Sequence, residues 1–159
     1  MSWKPELTVA AVVERQGRFL MVEERVARRL VFNQPAGHVE EGEDLLDAVV
    51  RETLEETAWG FQPQSIVGIY LWKHPSNGRS FLRVAYSGVA HSHDSQLRLD
   101  PAIVRVHWLT RDQLLGHQGM LRSPMVLRCV DDYLAGIRLS LNLLTHLPFE
   151  QVEARAAVL

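Results

Sequence analysis

The sequence predicts an α+β fold in which a mixed β-sheet is flanked by helices. Segments rich in Val, Ile and Thr precede and follow a long segment with helical periodicity at residues 43–57. Strands and helices do not alternate regularly, which argues against a repeated β-α-β fold. The 159 residues and the 47% hydrophobic fraction suit a single domain over residues 1–159.

The first strands are predicted before residue 40. Residues 7–13 are rich in Val, Thr and Ala and predict a buried strand. Gly17 indicates a turn into residues 18–22, which we expect to pair with the first strand as a hairpin. A third short strand is predicted near residues 30–34, and it ends at Pro35-Ala36-Gly37.

The central helix is predicted over residues 43–57. Apolar and small residues recur there at helical spacing, and acidic residues gather on the opposite face. The face expected to contact the core carries Leu46, Val49, Val50, Thr53 and Thr57.

The pattern of alternating residues returns after Gly60. Residues 66–72 and 81–89 predict two strands joined by the turn Pro75-Ser76-Asn77-Gly78, and residues 104–109 predict another strand. The sequence therefore places strands on both sides of the central helix.

Two further helices are predicted near the C-terminal end. Thr110 can cap a short helix through Leu115, with Gln113 completing a capping box. Ser123-Pro124 begins a helix that reaches about Ala135, and Gly136 ends it. Residues 137–159 are left without an assignment.

Charge and composition exclude several classes of protein. The net charge of -2 comes from interleaved acidic and basic residues, so we expect no nucleic-acid polymer as partner. No apolar run of about 20 residues is present, so no membrane partner is expected. The single cysteine, Cys129, is expected in the core, and it allows no intrachain disulfide, which suits a cytoplasmic protein. Monomer and homodimer both remain open.

Three carboxylates share one face of the central helix. Glu52, Glu55 and Glu56 stand at positions i, i+3 and i+4, where like charges repel. A hard divalent cation relieves that repulsion, and Mg²⁺ prefers oxygen ligands, with Mn²⁺ a possible substitute. The alternative is a solvated acidic helix face without a ligand.

Two neighbouring features complete this cluster. The turn containing Ala36 can bring a backbone carbonyl beside the acidic helix face as a further oxygen ligand. Arg51 can orient a carboxylate by a bidentate contact, and Glu43, about two helical turns upstream, is the expected partner.

The spacing of these residues resembles the Nudix box, here residues 37–59. The matching positions are Gly37, Glu43, Arg51, Glu52, Glu55 and Glu56. Thr53, Ala58 and Trp59 depart from the pattern at packing or turn positions, and Ala36 replaces a glycine whose carbonyl remains available. The resemblance implies the Nudix α/β/α sandwich and a metal-dependent hydrolase.

Three short segments are similar to one bacterial subgroup of this family. They are residues 33–38, 81–83 and 121–124. The subgroup contains Nudix phosphatases that act on nucleoside di- and triphosphates and on hydroxymethylpyrimidine pyrophosphate. The resemblance therefore implies a small-molecule phosphoanhydride as substrate.

The resemblance also implies roles in catalysis. Glu52, Glu55, Glu56 and the Ala36 carbonyl are expected to hold Mg²⁺, and Glu52 is the first choice of general base. Some Nudix enzymes take an acid from a later loop instead, and Asp94 and Asp100 are the candidates here.

Three residues are expected to bind substrate. Arg83 can bind phosphate, although a surface ion pair is the alternative. Trp72 can stack on a ring, although a core or edge aromatic is more common. Arg122 can reach the pocket, although Arg122-Ser123-Pro124 is also explained as a helix start. His91 and His93 are interpreted as a solvated loop, because they lack a third metal ligand.

The leading functional hypothesis is a Mg²⁺-dependent phosphohydrolase. One alternative is a pyrophosphatase acting on dinucleoside polyphosphates or nucleotide sugars. The other is a Nudix module that binds a ligand without turnover, which would be expected to lose one or more acids of the box. Since every acid is present, the sequence favours the enzyme.

Overall fold

The computed structural model describes residues 2–148 of the chain. In order, its strands are β1 (Glu6–Val12), β2 (Glu14–Arg15), β3 (Arg18–Val26), β4 (Arg29–Asn33), β5 (Ala36–His38), β6 (Gly60–Lys73), β7 (Ser80–His91) and β8 (Ile103–Leu109). The helices are α1 (Leu45–Thr57), α2 (Arg111–Gly116) and α3 (Met125–Leu134), and single 3-10 turns occur at Gln118–Met120 and Leu141–Leu143.

The strands form two sheets. The first has four strands in the order β5-β1-β7-β6, and it is mixed because β1 and β7 are parallel whereas the other pairs are antiparallel. The second is antiparallel and is built around β3, which pairs with β2, β4 and β8. The predicted α+β class with a mixed sheet is confirmed.

Helices cover both faces of the first sheet. Side chains alternate between faces along a strand, so Val9 and Ala11 of β1 face one core, where they meet Val49 of α1. Ala10 and Val12 face the other core, where they meet α3. This arrangement is the α/β/α sandwich that the resemblance implies. Among the described residues, no helix combines the length and apolarity needed to cross a membrane.

The predicted pairing of residues 7–13 with residues 18–22 is wrong. A tight turn does form at Gln16 and Gly17, which have φ values of 52° and 75°, but the pairing beside it is short. It joins Glu14 and Arg15 to the start of β3 and ends with the hydrogen bond that the Leu20 N–H donates to the Val13 carbonyl at 2.9 Å. β1 instead lies between β5 and β7 in the other sheet. Its continuous apolar run fits a strand buried on both faces, and such a run does not identify its partners.

Strand β5 and the starts of β6 and α1 also differ from the prediction, and β6 begins at Gly60 rather than at residue 66. β5 was not expected, because three residues that include a glycine carry little strand signal. Helix α1 begins at Leu45 rather than at residue 43, since Asp44 is the N-cap and its Oδ1 accepts a hydrogen bond from the Leu46 N–H at 2.7 Å.

The residues predicted to cap the later helices form hydrogen bonds at the helix starts, although α3 begins at Met125, one residue later than predicted, with Pro124 at the N-cap. Thr110 and Gln113 form both hydrogen bonds of the capping box at the start of α2. The Ser123 hydroxyl accepts from the Met125 N–H at 3.2 Å at the start of α3. Gly136 follows α3 with a φ of 82°, a conformation that glycine adopts without strain.

Part of the unassigned C-terminal segment extends the first sheet. Leu139 exchanges two backbone hydrogen bonds with Ile66 of β6, at 2.9 and 2.8 Å. Leu141 and Leu144 then pack against the core beneath α1. Residues 149–159 lie outside the described residues.

The hairpin between β3 and β4 turns through two residues with positive φ, Ala27 at 45° and Arg28 at 69°. Turns of this kind favour Asn-Gly, because side chains other than those of Asn and Asp are strained there. We expect the double variant Ala27→Asn/Arg28→Gly to raise the free energy of unfolding by about 1 kcal/mol in urea titrations. Arg28→Ala keeps a Cβ at the same φ and serves as the control. Equal stability of the two variants would contradict the strain argument.

Candidate active site

A cleft of about 360 Å³ lies on the side of the first sheet that faces α3. Its floor crosses all four strands of that sheet, α1 contributes carboxylates at one end, and β3 and the segment before α3 contribute the opposite wall. The residues that carry polar or aromatic groups into it are Thr8, Glu24, Asn33, His38, Glu40, Glu52, Glu56, Trp72, Phe81, Arg83, Asp100, Arg122 and Ser123.

Side chains of α1 occupy the free edge of β5 at the acidic end of the cleft. The Ala36 N–H donates to Glu56 Oε2 at 3.0 Å, and Arg51 Nη2 donates to the His38 carbonyl at 3.1 Å. In an extended strand the N–H and C=O of one residue point toward the same edge. The Ala36 carbonyl is therefore directed toward α1, beside the carboxylate of Glu56.

Arg51 holds several acids of the cluster in place. Its Nε and Nη2 form a bidentate contact with Glu43, at 2.7 and 2.9 Å. Its Nη1 donates to Glu52 Oε1 at 2.9 Å and to Glu55 Oε2 at 3.2 Å. The guanidinium lowers the pKa of Glu43, and a carboxylate so paired has a defined orientation.

Burial makes the acidic end of the cleft electrostatically costly. Glu56 is only 7% exposed, and burial raises its pKa to about 9, outweighing the hydrogen bond from Ala36. Burial also raises the pKa of Glu52 and of Glu24. The charges of both carboxylates oppose ionisation of Glu56. A cation bound among these carboxyls would favour their ionised forms.

The donor set fits a hard divalent cation in an open site. Glu52, Glu56 and the more exposed Glu55 offer carboxylate oxygens, and Ala36 offers a carbonyl oxygen, which are the ligand types that Mg²⁺ prefers. Within residues 2–148, no three acidic, histidine or cysteine side chains converge closely enough to enclose a metal. Such a set suits an ion that also takes ligands from water and from substrate phosphate.

Gly37 is required for space rather than for backbone freedom. Its φ lies outside the positive region, but an added Cβ would overlap the carboxylate of Glu52. We expect Gly37→Ala to displace that carboxylate and to lower kcat/KM by about 10- to 100-fold, as misplacement of a catalytic group does. Gly119→Ala, where a Cβ meets open space, is the matched control. If both variants had wild-type kcat/KM and circular dichroism, the position of Glu52 would not matter.

Arg83 is a buried cation without an acidic partner. Only 4% of the residue is exposed, and its Nη1 and Nη2 donate to the side-chain oxygens of Gln34 and Asn33, each at 3.0 Å. Among the described residues its Nε has no hydrogen-bond partner and no acidic residue forms an ion pair with it, although its charge acts on Glu24 and on the Cys129 thiol. The alternative interpretation of Arg83 as a surface ion pair is therefore wrong.

Trp72 and Arg122 also reach the cleft. Trp72 is half-buried on the edge strand β6, and Arg122 places Nη1 at 3.4 Å from Glu24 Oε1 while its backbone N–H donates to the Phe32 carbonyl. Of the two later acids, only Asp100 lines the cleft. Asp94 is exposed in the loop after β7, where its carboxylate accepts from the Gln96 N–H at 3.0 Å.

Sequence reasoning missed several residues of the cleft. Glu24 lies within β3, two residues after its buried apolar run Phe19–Val22, and it is half-buried in the cleft wall. An acid just after an apolar strand run is a signal that the sequence does offer. Thr8 and Phe81 carry no such signal, because their role depends on which strands pair. His38, for which no role is predicted, lines the cleft and contacts Glu6 Oε2 at 2.6 Å. His93 is exposed in the loop after β7, as expected, but His91 is not in the loop: it is the last residue of β7, where it pairs with Gly60.

Comparison with known proteins agrees with this geometry. The model of the NUDIX domain matches residues 4–127. Phosphatase NudJ of Escherichia coli strain K12 is 34% identical over 142 residues, which cover 89% of this chain and 92% of that protein. The solved NUDIX hydrolase from Nitrosomonas europaea is 43% identical, with a TM-score of 0.89 over 91% of this chain and 98% of that chain.

A more distant structure shows the fold alone. The NUDIX domain of Shewanella oneidensis NrtR, solved with ADP ribose, is 18% identical, with a TM-score of 0.68 over 85% of this chain and 90% of that chain. The fold, the box spacing and the similar sequences thus agree with one another.

Proposed function

The chain belongs to the Nudix hydrolase family, and from that premise we propose that it is a Mg²⁺-dependent phosphohydrolase. Its proposed substrates are nucleoside di- and triphosphates or a pyrimidine pyrophosphate. The observation that carries this proposal is the position of Arg83, a buried cation with no ion-pair partner among the described residues, in the same cleft as the half-buried Glu52 and the buried Glu56.

The two ends of the cleft favour ligand groups of opposite charge. A buried guanidinium is costly without an anion, and crowded buried carboxyls are costly without a cation. A pyrophosphate group that shares a divalent cation with the enzyme satisfies both, because its oxygens can meet Arg83 while the cation meets Glu52 and Glu56. A neutral substrate would satisfy neither end.

We assign the metal ligands to Glu52, Glu55, Glu56 and the Ala36 carbonyl, with Mn²⁺ as a possible substitute for Mg²⁺. When bound, the ion would neutralise charge on the phosphate oxygens and lower the pKa of a coordinated water. Glu43 keeps Arg51 in position, and Arg51 in turn orients the other acids.

Glu52 is the proposed general base. Arg51 engages its Oε1, which leaves Oε2 to accept the proton of the attacking water. Asp100 at the rim of the cleft is the second choice, although its Oδ1 already accepts from the Ala102 N–H at 2.8 Å. Arg83 holds the substrate phosphate, and Arg122 provides a second cation on the opposite wall.

The experiment that tests this function measures phosphate and pyrophosphate release with Mg²⁺ and with chelator. The panel contains nucleoside tri- and diphosphates, hydroxymethylpyrimidine pyrophosphate, a dinucleoside polyphosphate and a nucleotide sugar. We expect Mg²⁺-dependent release of inorganic phosphate from the first three, since the relative named above is a phosphatase. Turnover of only the last two would favour the pyrophosphatase alternative. Ligand binding without any turnover would favour a binding module.

A further inference from the structure

Two stacked aromatic side chains form the end of the cleft that is farthest from the acids. Trp72 of β6 and Phe81 of β7 are partners in the sheet register, and their rings lie 5.9 Å apart between centroids at an interplanar angle of 24°. Both line the cleft, and neither belongs to the two hydrophobic cores. The Arg79 guanidinium lies over the Phe81 ring, 5.4 Å from its centroid, so the aromatic surface that faces the cleft is that of Trp72 and of the uncovered part of Phe81.

The side chains along the cleft floor are arranged in the order of the strands of the first sheet. Ala36 and the acids lie at β5, Thr8 lies on β1, Arg83 on β7, and Trp72 on β6. Neighbouring strands are about 4.8 Å apart, so the cleft floor runs for about 14 Å from β5 to β6. Arg83 and Phe81 stand two residues apart on one face of β7, about 7 Å along the strand. The buried cation thus lies between the acids and the aromatic pair.

We propose that Trp72 and Phe81 form a subsite for the planar ring of the substrate, and that this subsite recognises the ring by stacking rather than by its polar edge. The inference rests on the proposed function, because it places the phosphate chain over Arg83 and toward the acids. The ligand class is an aromatic heterocycle joined to a diphosphate, with purines and pyrimidines accepted alike.

Tolerance of the base follows from the polar groups near the aromatic pair. The Ser123 hydroxyl accepts from the Met125 N–H, and the Asn33 side-chain oxygen accepts from Arg83. Arg122 is paired with Glu24. The Ser123 O–H is still free to donate, and Arg122 is assigned to the phosphate, but a single hydroxyl donor discriminates weakly because every base carries acceptors on its edge. Every base, by contrast, has a face that can stack.

The shape of the cleft also favours tolerance of different bases. Trp72 also borders two further surface grooves, one along β6 and α3 and one beside the turn after β6. The aromatic end is therefore open to the surface rather than closed around a ring of fixed size. A purine, with its second ring, can extend past Trp72 where a pyrimidine ends.

The test compares substrates with and without a ring in the variants Trp72→Leu and Phe81→Leu. The substrates are ADP, CDP and methyl diphosphate, and kcat and KM are measured separately with Mg²⁺. We expect KM for ADP and CDP to rise together by about 5- to 100-fold, the range for loss of base stacking, while methyl diphosphate is unaffected. Trp72→Phe should retain most of the affinity, and Trp3→Leu, at a tryptophan outside the cleft, should retain all of it.

A second measurement does not depend on turnover. Binding of AMP and of CMP is followed by tryptophan fluorescence in the presence of chelator, where we expect quenching in the wild type and in Trp3→Leu but not in Trp72→Leu. Equal increases in KM for ADP and methyl diphosphate would show a merely structural role and overturn the proposal. A preference above about 100-fold between ADP and CDP would overturn the stacking-only recognition. Ring binding without hydrolysis would keep the subsite and reject the proposed function.

Discussion

Glu56→Gln is expected to lower kcat by about 10³-fold or more, which corresponds to about 4 kcal/mol of transition-state stabilisation. The substitution removes a negative charge that we assign to the metal site, where charge stabilisation supplies several kcal/mol. Its amide oxygen can still accept the hydrogen bond that the Ala36 N–H donates to Glu56 Oε2 at 3.0 Å. The fold and the free edge of β5 should therefore be unchanged, and steady-state kinetics with saturating Mg²⁺ measure the loss.

The same variant is expected to be more stable than the wild type without metal. Burial raises the pKa of Glu56 from 4.5 to about 9, so between these values the folded protein retains a proton that the unfolded chain has lost. Wild-type stability therefore falls as the pH rises from 4.5 to about 9, and the Glu56→Gln substitution removes that dependence. Urea unfolding with chelator at pH 8 should favour the variant, and the difference should vanish below pH 4.5.

Asp47→Asn provides the control for both measurements, because Asp47 lies on the exposed face of the same helix. It should leave kcat at the wild-type level and should not raise the stability at pH 8 in chelator as Glu56→Gln does. Full Mg²⁺-dependent turnover of Glu56→Gln would reject Glu56 as a metal ligand.

Arg83→Met is expected to lower kcat/KM by about 10²- to 10³-fold, since removing one partner of a buried charge contact costs about 2–5 kcal/mol. Methionine keeps an apolar stem of similar length but leaves the substrate phosphate without its cation. Stability should change by only about 1–2 kcal/mol, because the variant removes an unpaired buried charge but also leaves the Asn33 and Gln34 oxygens without donors.

Two further variants separate charge from geometry at this position. Arg83→Lys keeps the charge but not the planar fork, and it should recover only part of the lost kcat/KM. Arg128→Met removes an exposed arginine that is paired with Asp132 outside the cleft, and it should behave as the wild type. Wild-type kcat/KM in Arg83→Met would mean that this cation does not bind the substrate.

The local part of the site could be predicted from the sequence. Glu43 stands just before the N-cap of α1 and Arg51 lies within that helix, so their short separation along the chain favours their contact, and the predicted bidentate contact is present in the structure. The acids of α1 share a face for the same reason. The capping residues of α2 and α3 likewise act within a few positions of one another, where the chain itself sets the distance.

The rest depends on strand pairing between distant segments. Thr8 and Arg83 become neighbours because β1 pairs in parallel with β7, and no local pattern indicates that pairing. The assumption that consecutive strands form a hairpin placed β1 in the wrong sheet. Arg83 could be named as a phosphate ligand, but its burial without an acidic partner is evident only when β4, β7 and α3 are brought together.

The contacts of α1 with β5 have a consequence outside catalysis. β5 is the last strand of its sheet, and an unprotected edge of this kind can template intermolecular strand pairing and aggregation. Here the Ala36 N–H and the His38 carbonyl are occupied by Glu56 and Arg51. The box residues therefore also keep the sheet from adding a foreign strand, so the loss of Arg51 would expose the chain to self-association as well as disorder its acids.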